Sequence, residues 1–148
     1  MSQYLYLKQQ IAPLCQMGLL LSQDNIELIT LHEAVDSMQI GAIWLQEAAN
    51  ASREEDTITQ DAESDPEQVP EQALLLSPKI LCENLDRDLR LIANQIPLLL
   101  EDPYINETTR TALSAAYIRL KESAMKYKFV ALYYERLENN RGLGPQYN

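Results

Sequence analysis

Residues 28–49, LITLHEAVDSMQIGAIWLQEAA, contain the pattern that decides the fold. Apolar residues return at alternating steps of three and four along this stretch, which places them on one side of a helix. The spacing predicts a helix over residues 24–52, with Asp24 as its N-cap and Glu27 as the acidic partner of that cap. The predicted core-facing seam consists of Leu28, Leu31, Val35, Met38, Ala42, Leu45 and Ala49.

The same spacing recurs in three other segments and predicts helices over residues 2–22, 78–101 and 107–139. Their predicted seams are Tyr4, Leu7, Ile11, Leu14, Gly18 and Leu21 in the first helix, Leu81, Leu85, Leu89, Ile92, Ile96 and Leu99 in the third, and Leu113, Tyr117, Leu120, Ala124, Tyr127, Ala131 and Tyr134 in the fourth. No segment shows the alternating pattern of a strand. One very short connection, one long crossover and one turn would join the four helices. The sequence therefore predicts an all-α protein in a single domain over residues 1–148, as a four-helix bundle or as two packed helical hairpins.

Helix ends and bends are predicted from individual residues. Ser77 followed by proline marks the start of the third helix, and Asn106 can cap the fourth. Proline has no N–H to donate to the helix ladder, so Pro13 should bend or interrupt the first helix and Pro97 should bend the end of the third.

The negative charge is concentrated between the second and third helices. The chain has a formal net charge of −10, and residues 53–73 account for −7 with eight acidic side chains and one basic one. Such a segment cannot bury enough apolar surface to offset the entropy of ordering it, so a long flexible acidic crossover is predicted. The glycines near the C-terminus predict a tail over residues 140–148. The rest of the chain is mildly acidic, so direct nucleic-acid binding, whose affinity is built from clustered Lys and Arg, is not expected.

Cysteine and hydropathy patterns bear on the cellular compartment. Cys15 and Cys82 stand far apart in apolar surroundings, without a CxxC or Cys/His ligand pattern. They are expected to be reduced, buried thiols, which fits the cytoplasm. No apolar run approaches the length that spans a bilayer, and no export signal is recognised, so no membrane partner is expected.

Residues that could perform catalysis or bind a metal do not converge in this sequence. His32 is the only histidine, and the turn before it holds Leu28 and Ile29, so a Glu-x-x-His di-iron site cannot be assembled. Close-spaced glycines occur only near the C-terminus, where they cannot form a phosphate-binding loop. We therefore expect no enzyme activity, no cofactor and no catalytic or metal-binding residue, and we expect His32 to be a solvated or interface side chain.

The second and fourth predicted helices also carry apolar residues outside their core-facing seams. A peripheral bundle helix is normally wet on its outer side, so these residues need cover from the same chain or from a partner. The first helix or the end of the third could supply that cover, as could a second copy in a C2 homodimer. Ala34, Gly41 and Ala48 form a lane, a line of small residues along the second helix. They either have no special role or mark a place where a neighbouring helix approaches closely. The predicted interface residues are Ile29, Ile40, Ile43, Trp44, Ile118, Met125, Phe129 and Leu132.

These features predict a nonenzymatic protein–protein interaction module of the adaptor, chaperone or regulatory-subunit type. Its partners would be a second copy of itself and an unidentified protein, with Glu33, Asp36 and Glu47 selecting basic surroundings. One alternative is an acidic decoy in which residues 53–73 occupy a basic, nucleic-acid-binding surface of another protein. Another is a small-molecule sensor with a pocket between its helices.

Overall fold

The structure is a computed structural model that describes residues 2–52 and 76–143, with side chains of the last helix described as far as Asn140. The predicted acidic crossover at 53–73 and residues 144–148 of the predicted tail lie outside the described residues. Within the described ranges there are helices and no strands. The helices are α1 (Gln3–Asp24), α2 (Ile29–Ser52), α3 (Pro78–Ala93), α4 (Ile96–Leu100) and α5 (Glu107–Leu143).

The helix caps show why the chain folds locally as it does. The Ser77 side chain accepts a hydrogen bond from the Ile80 backbone N–H at 3.3 Å, and Asn106 accepts one from the Thr109 N–H at 2.8 Å. Each bond satisfies a backbone donor that has no partner inside the first turn of its helix. Both caps confirm the predicted starts of α3 and α5.

The predicted N-cap at Asp24 is wrong. Asp24 is the last residue of α1, and α2 begins only at Ile29. Asn25 ends α1, because its backbone N–H and its side-chain amide both donate to the Leu21 carbonyl, at 3.1 and 2.9 Å. These bonds satisfy the terminal carbonyl and make the first helix longer than its apolar pattern indicated.

The two helix prolines have different effects on their helices. The helix predicted over residues 78–101 divides into α3 and α4, because Pro97 cannot donate to a carbonyl in the preceding turn. In the structure Pro97 lies in the first turn of α4, where its missing N–H costs nothing. Pro13, by contrast, lies inside α1 without interrupting it. The last helix runs past the predicted end at residue 139, to Leu143.

The four long helices pack together as a bundle, which confirms the all-α prediction. The most extensive contact is between α2 and α5, followed by α3 with α5 and α1 with α2. At one end Tyr134 bonds Asn25, and at the other Asn106 bonds the Ala51 carbonyl, so α2 and α5 are antiparallel. Lys79 contacts Glu138 near the start of α3, so α3 is also antiparallel to α5.

This topology determines what the undescribed residues between α2 and α3 must connect. Because α2 and α3 both run antiparallel to α5, they run in the same direction. The C-terminal end of α2 and the N-terminal end of α3 therefore lie at opposite ends of the bundle.

The core consists of the predicted helix seams. All the seam positions predicted in the first helix are buried, and those of the second are buried except Leu28 and Ala42, which are half-buried. Close packing of these side chains supplies most of the favourable free energy of folding. The largest fully buried side chains include Ile11, Leu31, Met38, Leu45, Leu85, Leu89, Leu113, Leu120 and Tyr127.

The lane of small residues on α2 is where α5 approaches most closely. Ala34, Gly41 and Ala48 are all buried. A Cβ atom at Gly41 would lie 2.8 Å from Leu120 Cδ2, which is closer than such atoms normally pack. The Ser123 hydroxyl donates a hydrogen bond to the Ala34 carbonyl at 2.6 Å across the same contact. This close contact fixes the rotation of α5 and turns its opposite side outward.

Candidate protein interaction surface

The outward side of α5 carries an apolar stripe made of Ile118, Met125, Phe129 and Leu132. Their side chains are between 45 and 62% exposed. The stripe lies opposite the buried seam because its residues follow the same three-four spacing with a different phase, about 150° around the helix. One helix thus has an apolar side in the core and a second apolar side in contact with solvent.

The outward side of α2 carries a second apolar group, the α2 patch, made of Ile29, Ile40, Ile43 and Trp44. Ile29 and Ile43 are 68 and 59% exposed. Ile40 and Trp44 are half-buried, and Trp44 packs against the core. The tryptophan expected to anchor a partner is therefore partly engaged within its own chain, and the two isoleucines are the more accessible part of the patch.

The stripe and the patch form the solvent-facing surface of α2 and α5, which are adjacent helices. We call this surface the α2–α5 outer side. Six of the eight interface residues predicted from sequence are exposed on it, and two are half-buried. The first helix and the end of the third predicted helix could have covered these residues, but the six exposed side chains are not covered by either.

Sequence reasoning missed some exposed apolar residues beside these groups. Tyr133 is exposed and follows Phe129 by one turn of α5. The four-residue step from Phe129 could have revealed it. Ile26 is exposed in the connection before α2, where no helical periodicity applies.

The two halves of the α2–α5 outer side have opposite charge. Between residues 115 and 136, α5 carries five basic side chains and two acidic ones, whereas α2 carries three acidic side chains and no Lys or Arg. The apolar stripe is bordered by Lys121 and Lys128 towards α3. Glu33, Asp36 and Glu47, the acidic residues beside the α2 patch, are all exposed.

An ion pair marks the boundary between the two halves. Lys126 Nζ lies 3.4 Å from Glu33 Oε1 across the α2–α5 contact. On the α5 side, Arg119 forms a 3.4 Å pair with Glu122. Both pairs are partly exposed to solvent, where such contacts contribute little stability. Their main consequence is that positive and negative borders lie side by side along the bundle.

His32 and the acidic residues do not assemble a metal centre in the described part of the chain. The His32 ring Nε2 lies 3.3 Å from the Ile26 carbonyl, so its nearest polar neighbour is backbone. Across residues 2–52 and 76–140 no group of three or more His, Cys, Asp or Glu side chains could hold a metal ion. The geometry offers no convergent set of ligands to which a cofactor role could be assigned.

The cysteines are free and lie in the apolar interior. Cys82 is buried and Cys15 is half-buried. Burial raises the pKa of Cys15 to about 11, and burial together with the charge of Glu83 raises the pKa of Cys82 to about 12. Since the thiolate is the reactive form, these pKa shifts keep both residues unreactive near neutral pH.

Tyr127 lies deep in the same interior. It is fully buried, and burial raises its pKa well above the usual range for tyrosine. Its hydroxyl has no hydrogen-bond partner in the described part of the protein. A Cβ atom at Gly18 would lie 2.5 Å from that hydroxyl oxygen, so the Tyr127 side chain reaches from α5 across the core to the backbone of α1. The tyrosine therefore fills the core, as its seam position predicted.

No described helix combines the length and the apolar character needed to cross a membrane. No protein-family model matches this sequence, and no curated protein or solved structure is similar enough to count as a match.

Proposed function

We propose that this protein is a nonenzymatic interaction module that self-associates through the α2–α5 outer side. The supporting observation is the α5 stripe, four large apolar side chains about half-exposed or more, along one face of a helix whose other face is already buried. Contiguous apolar surface of this kind on a small protein is typical of protein-binding sites. Charged residues border the stripe, as in many interfaces, and Glu122 interrupts it between Ile118 and Met125.

The free energy available from covering this side is sufficient for a specific complex. Fully burying a side chain such as Ile or Phe is worth roughly 1.5 to 3 kcal/mol, and these residues are already partly covered. A C2 dimer uses each exposed side chain twice, once from each copy. Even after the entropy lost on association, several such residues can support an affinity in the micromolar range.

The role that fits this surface is binding in the cytoplasm, as an adaptor, chaperone or regulatory subunit does. A second, different protein would bind beside or in exchange with the second copy. The free cysteines are compatible with a reducing compartment. Binding would require no catalytic group, in line with the expectation that the protein is not an enzyme.

The proposal is tested by measuring self-association of the full chain by sedimentation equilibrium. Ile118→Glu combined with Phe129→Glu should weaken dimer formation at least tenfold, because two charges would have to be buried in an apolar contact. The matched control is Leu91→Glu, since Leu91 is 60% exposed on α3, away from this side. It should leave association unchanged.

Circular dichroism and thermal melting should show that all these variants fold, since the replaced side chains already face solvent. The proposal is overturned if the chain is monomeric at every concentration. It is also overturned if the control weakens association as much as the double variant does.

A further inference from the structure

One line along the α2 surface combines apolar and acidic side chains. Asp36, Ile40, Ile43 and Glu47 follow one another at steps of four, three and four residues, so they fall within an arc of about 60° on the helix. Ile40 is half-buried and the other three are exposed, Ile43 by 59%. We call these four residues the α2 line. Its two carboxylates stand at the ends, about 16.5 Å apart along the helix axis, with the two isoleucines between them.

The described part of the chain does not neutralise the two carboxylates of the α2 line. The helix itself contains no Lys or Arg. From the neighbouring helices, Lys126 pairs with Glu33, and Lys8 donates to the side chain of Gln46, so both cations are engaged elsewhere. No ion pair within the described residues includes either carboxylate of the line. The line therefore presents uncompensated negative charge at both ends of an apolar segment.

The α2 helix of a second copy would not complement this line. Two α2 helices packed antiparallel about the midpoint of the line would place Asp36 of one copy opposite Glu47 of the other. If the helices were parallel, each carboxylate would meet its own counterpart. Both arrangements bring like charges together across the contact, which opposes association. The α5 stripe supports the proposed self-association, so the α2 line stays available for a different protein.

We infer that the α2 line binds a basic amphipathic helix of a different protein. This inference rests on the proposed interaction role and names the chemistry of the second partner. The bound helix would carry two Lys or Arg residues on one face, with the same 11-residue separation as Asp36 and Glu47. Apolar residues between them would cover Ile40 and Ile43. Because the steps of the line read the same from either end, a parallel or an antiparallel helix satisfies it.

The charge of the whole molecule favours the same partner. The formal net charge is −10, so a basic segment is attracted before contact and an acidic one is repelled. At physiological ionic strength this attraction extends over roughly 8 Å, so the position of the bound helix is selected by the carboxylates that it touches. The same negative charge disfavours nucleic acid and anionic lipid surfaces as occupants of the line.

Fluorescence anisotropy with designed helical peptides tests the inference on the full chain. The matched probe carries Arg, Leu, Leu and Arg at the spacing of the α2 line, with Ala and Gln elsewhere. In the shifted probe the second Arg is moved by two positions, which places it on a different face of the same helix. The matched probe should bind at least about tenfold more tightly, because only it meets both carboxylates. Equal affinities, or no binding of the matched probe, would overturn the inference.

Charge reversal on the protein provides the second measurement. Asp36→Lys combined with Glu47→Lys should weaken binding of the matched probe at least about tenfold, and should favour a probe with Glu in place of both Arg residues. The control is Glu83→Lys combined with Glu101→Lys, which changes the net charge equally at exposed positions on α3 and after α4. Its dissociation constant should stay within about threefold of the parent value. A control that loses binding as strongly as the double reversal shows that net charge alone is recognised, and the inference is then wrong.

Sedimentation equilibrium of the chain alone separates this inference from the proposed function. A chain that self-associates but does not bind the matched probe refutes the inference and leaves the proposed function standing. A monomeric chain that binds the matched probe in preference to the shifted one refutes self-association and leaves the α2 line as a binding site. Circular dichroism should show that every variant folds, since the replaced side chains are exposed to solvent.

Discussion

The inner sides of α2 and α5 pack in the core, whereas their outer sides face solvent. One pair of helices therefore carries two apolar surfaces with different surroundings. On the inner side, Gly41 and Leu120 meet at a distance that leaves no room for a further atom. On the outer side, Ile43 and Ile118 are mostly exposed. The residue types are similar and the helices are the same, so the difference arises from the helical phase at which each residue falls.

This contrast shows that apolar content alone does not describe a helix. The inner residues are required for folding because they meet neighbours within the chain. Most of the outer residues contribute little to that core, although Trp44 packs against it, and they leave apolar surface that only another surface can cover. We therefore expect substitutions on the inner side to change stability and substitutions on the outer side to change association.

The largest expected effect compares two neighbouring residues of α5. Leu120→Ala should lower the free energy of unfolding by about 3 kcal/mol, because Leu120 is fully buried and its loss leaves a cavity. Ile118→Ala, on the exposed side of the same turn, should lower the free energy of unfolding of the monomer by less than about 0.5 kcal/mol. Urea unfolding at low protein concentration measures both, and equal losses would contradict the division into two sides.

The close approach of α2 and α5 should be intolerant of added volume. Gly41→Val should lower the free energy of unfolding by about 2 kcal/mol, since its side chain would overlap Leu120 in a packed core. Glu47→Val introduces the same side chain on the exposed side of α2 and serves as the control. Its free energy of unfolding should stay within about 0.5 kcal/mol of the parent value. Thermal unfolding of the two variants provides the comparison.

High pH should destabilise the buried side through Cys82. The pKa of Cys82 is raised from 9.0 to about 12, so above pH 9 the unfolded chain releases a proton that the folded chain retains. The stability contributed by the protonated thiol is therefore complete below pH 9 and is lost as the pH rises towards 12. When the pH is raised from about 8 to about 10, the free energy of unfolding should fall in both proteins. The fall should be about 1 kcal/mol smaller in Cys82→Ala than in the parent chain.

Urea unfolding at a series of pH values measures this difference. Below about pH 8 the stabilities of the parent chain and the variant should depend on pH in the same way. Identical pH dependence over the whole range would show that Cys82 is not shielded from solvent in the folded protein.

Two tyrosines of α5 should respond in opposite directions to loss of a hydroxyl group. Tyr127→Phe should raise the free energy of unfolding by about 1 kcal/mol, because the buried Tyr127 hydroxyl has no hydrogen-bond partner in the described part of the chain. Tyr134→Phe should lower it by about 0.5 to 1 kcal/mol, because the Tyr134 hydroxyl donates to Asn25 at 3.0 Å. Chemical denaturation distinguishes the two signs.

The smallest effect is expected at the boundary between the inner and outer sides. Lys126→Met should change the free energy of unfolding by less than about 0.5 kcal/mol, because the Lys126–Glu33 pair is partly exposed and screened by solvent. A Glu33→Gln variant provides the second arm of a double-mutant cycle. A coupling energy above about 1 kcal/mol would show that this ion pair contributes substantially to the stability of the fold.

Much of the fold could be predicted because each helix repeats its signal many times. Seam residues such as Ile11, Leu85 and Leu113 are buried as the spacing predicted. Helix ends were less predictable, because a few local hydrogen bonds decide them. Asn25 ends α1 and displaces the expected cap at Asp24, and no apolar periodicity signals that choice.

The candidate surface was only partly predictable for a related reason. The phase of Ile118 and Phe129 against the α5 seam was sufficient to predict that they stand apart from the core. For Trp44 the same reasoning was insufficient, because a large ring can reach sideways from an off-seam position to the core. How far such a residue is covered depends on its neighbours in space.

The sequence by itself determined the four long helices, their buried seams and the second apolar sides of α2 and α5. These follow from spacing within single segments, where helical geometry relates every residue to its near neighbours. Only the tertiary structure decided that Ala34, Gly41 and Ala48 lie against α5, and that an acidic patch and a basic-bordered stripe share one side. Those facts depend on contacts such as Ser123 with Ala34, between residues far apart in the chain, and no local periodicity encodes which helices meet or in which direction.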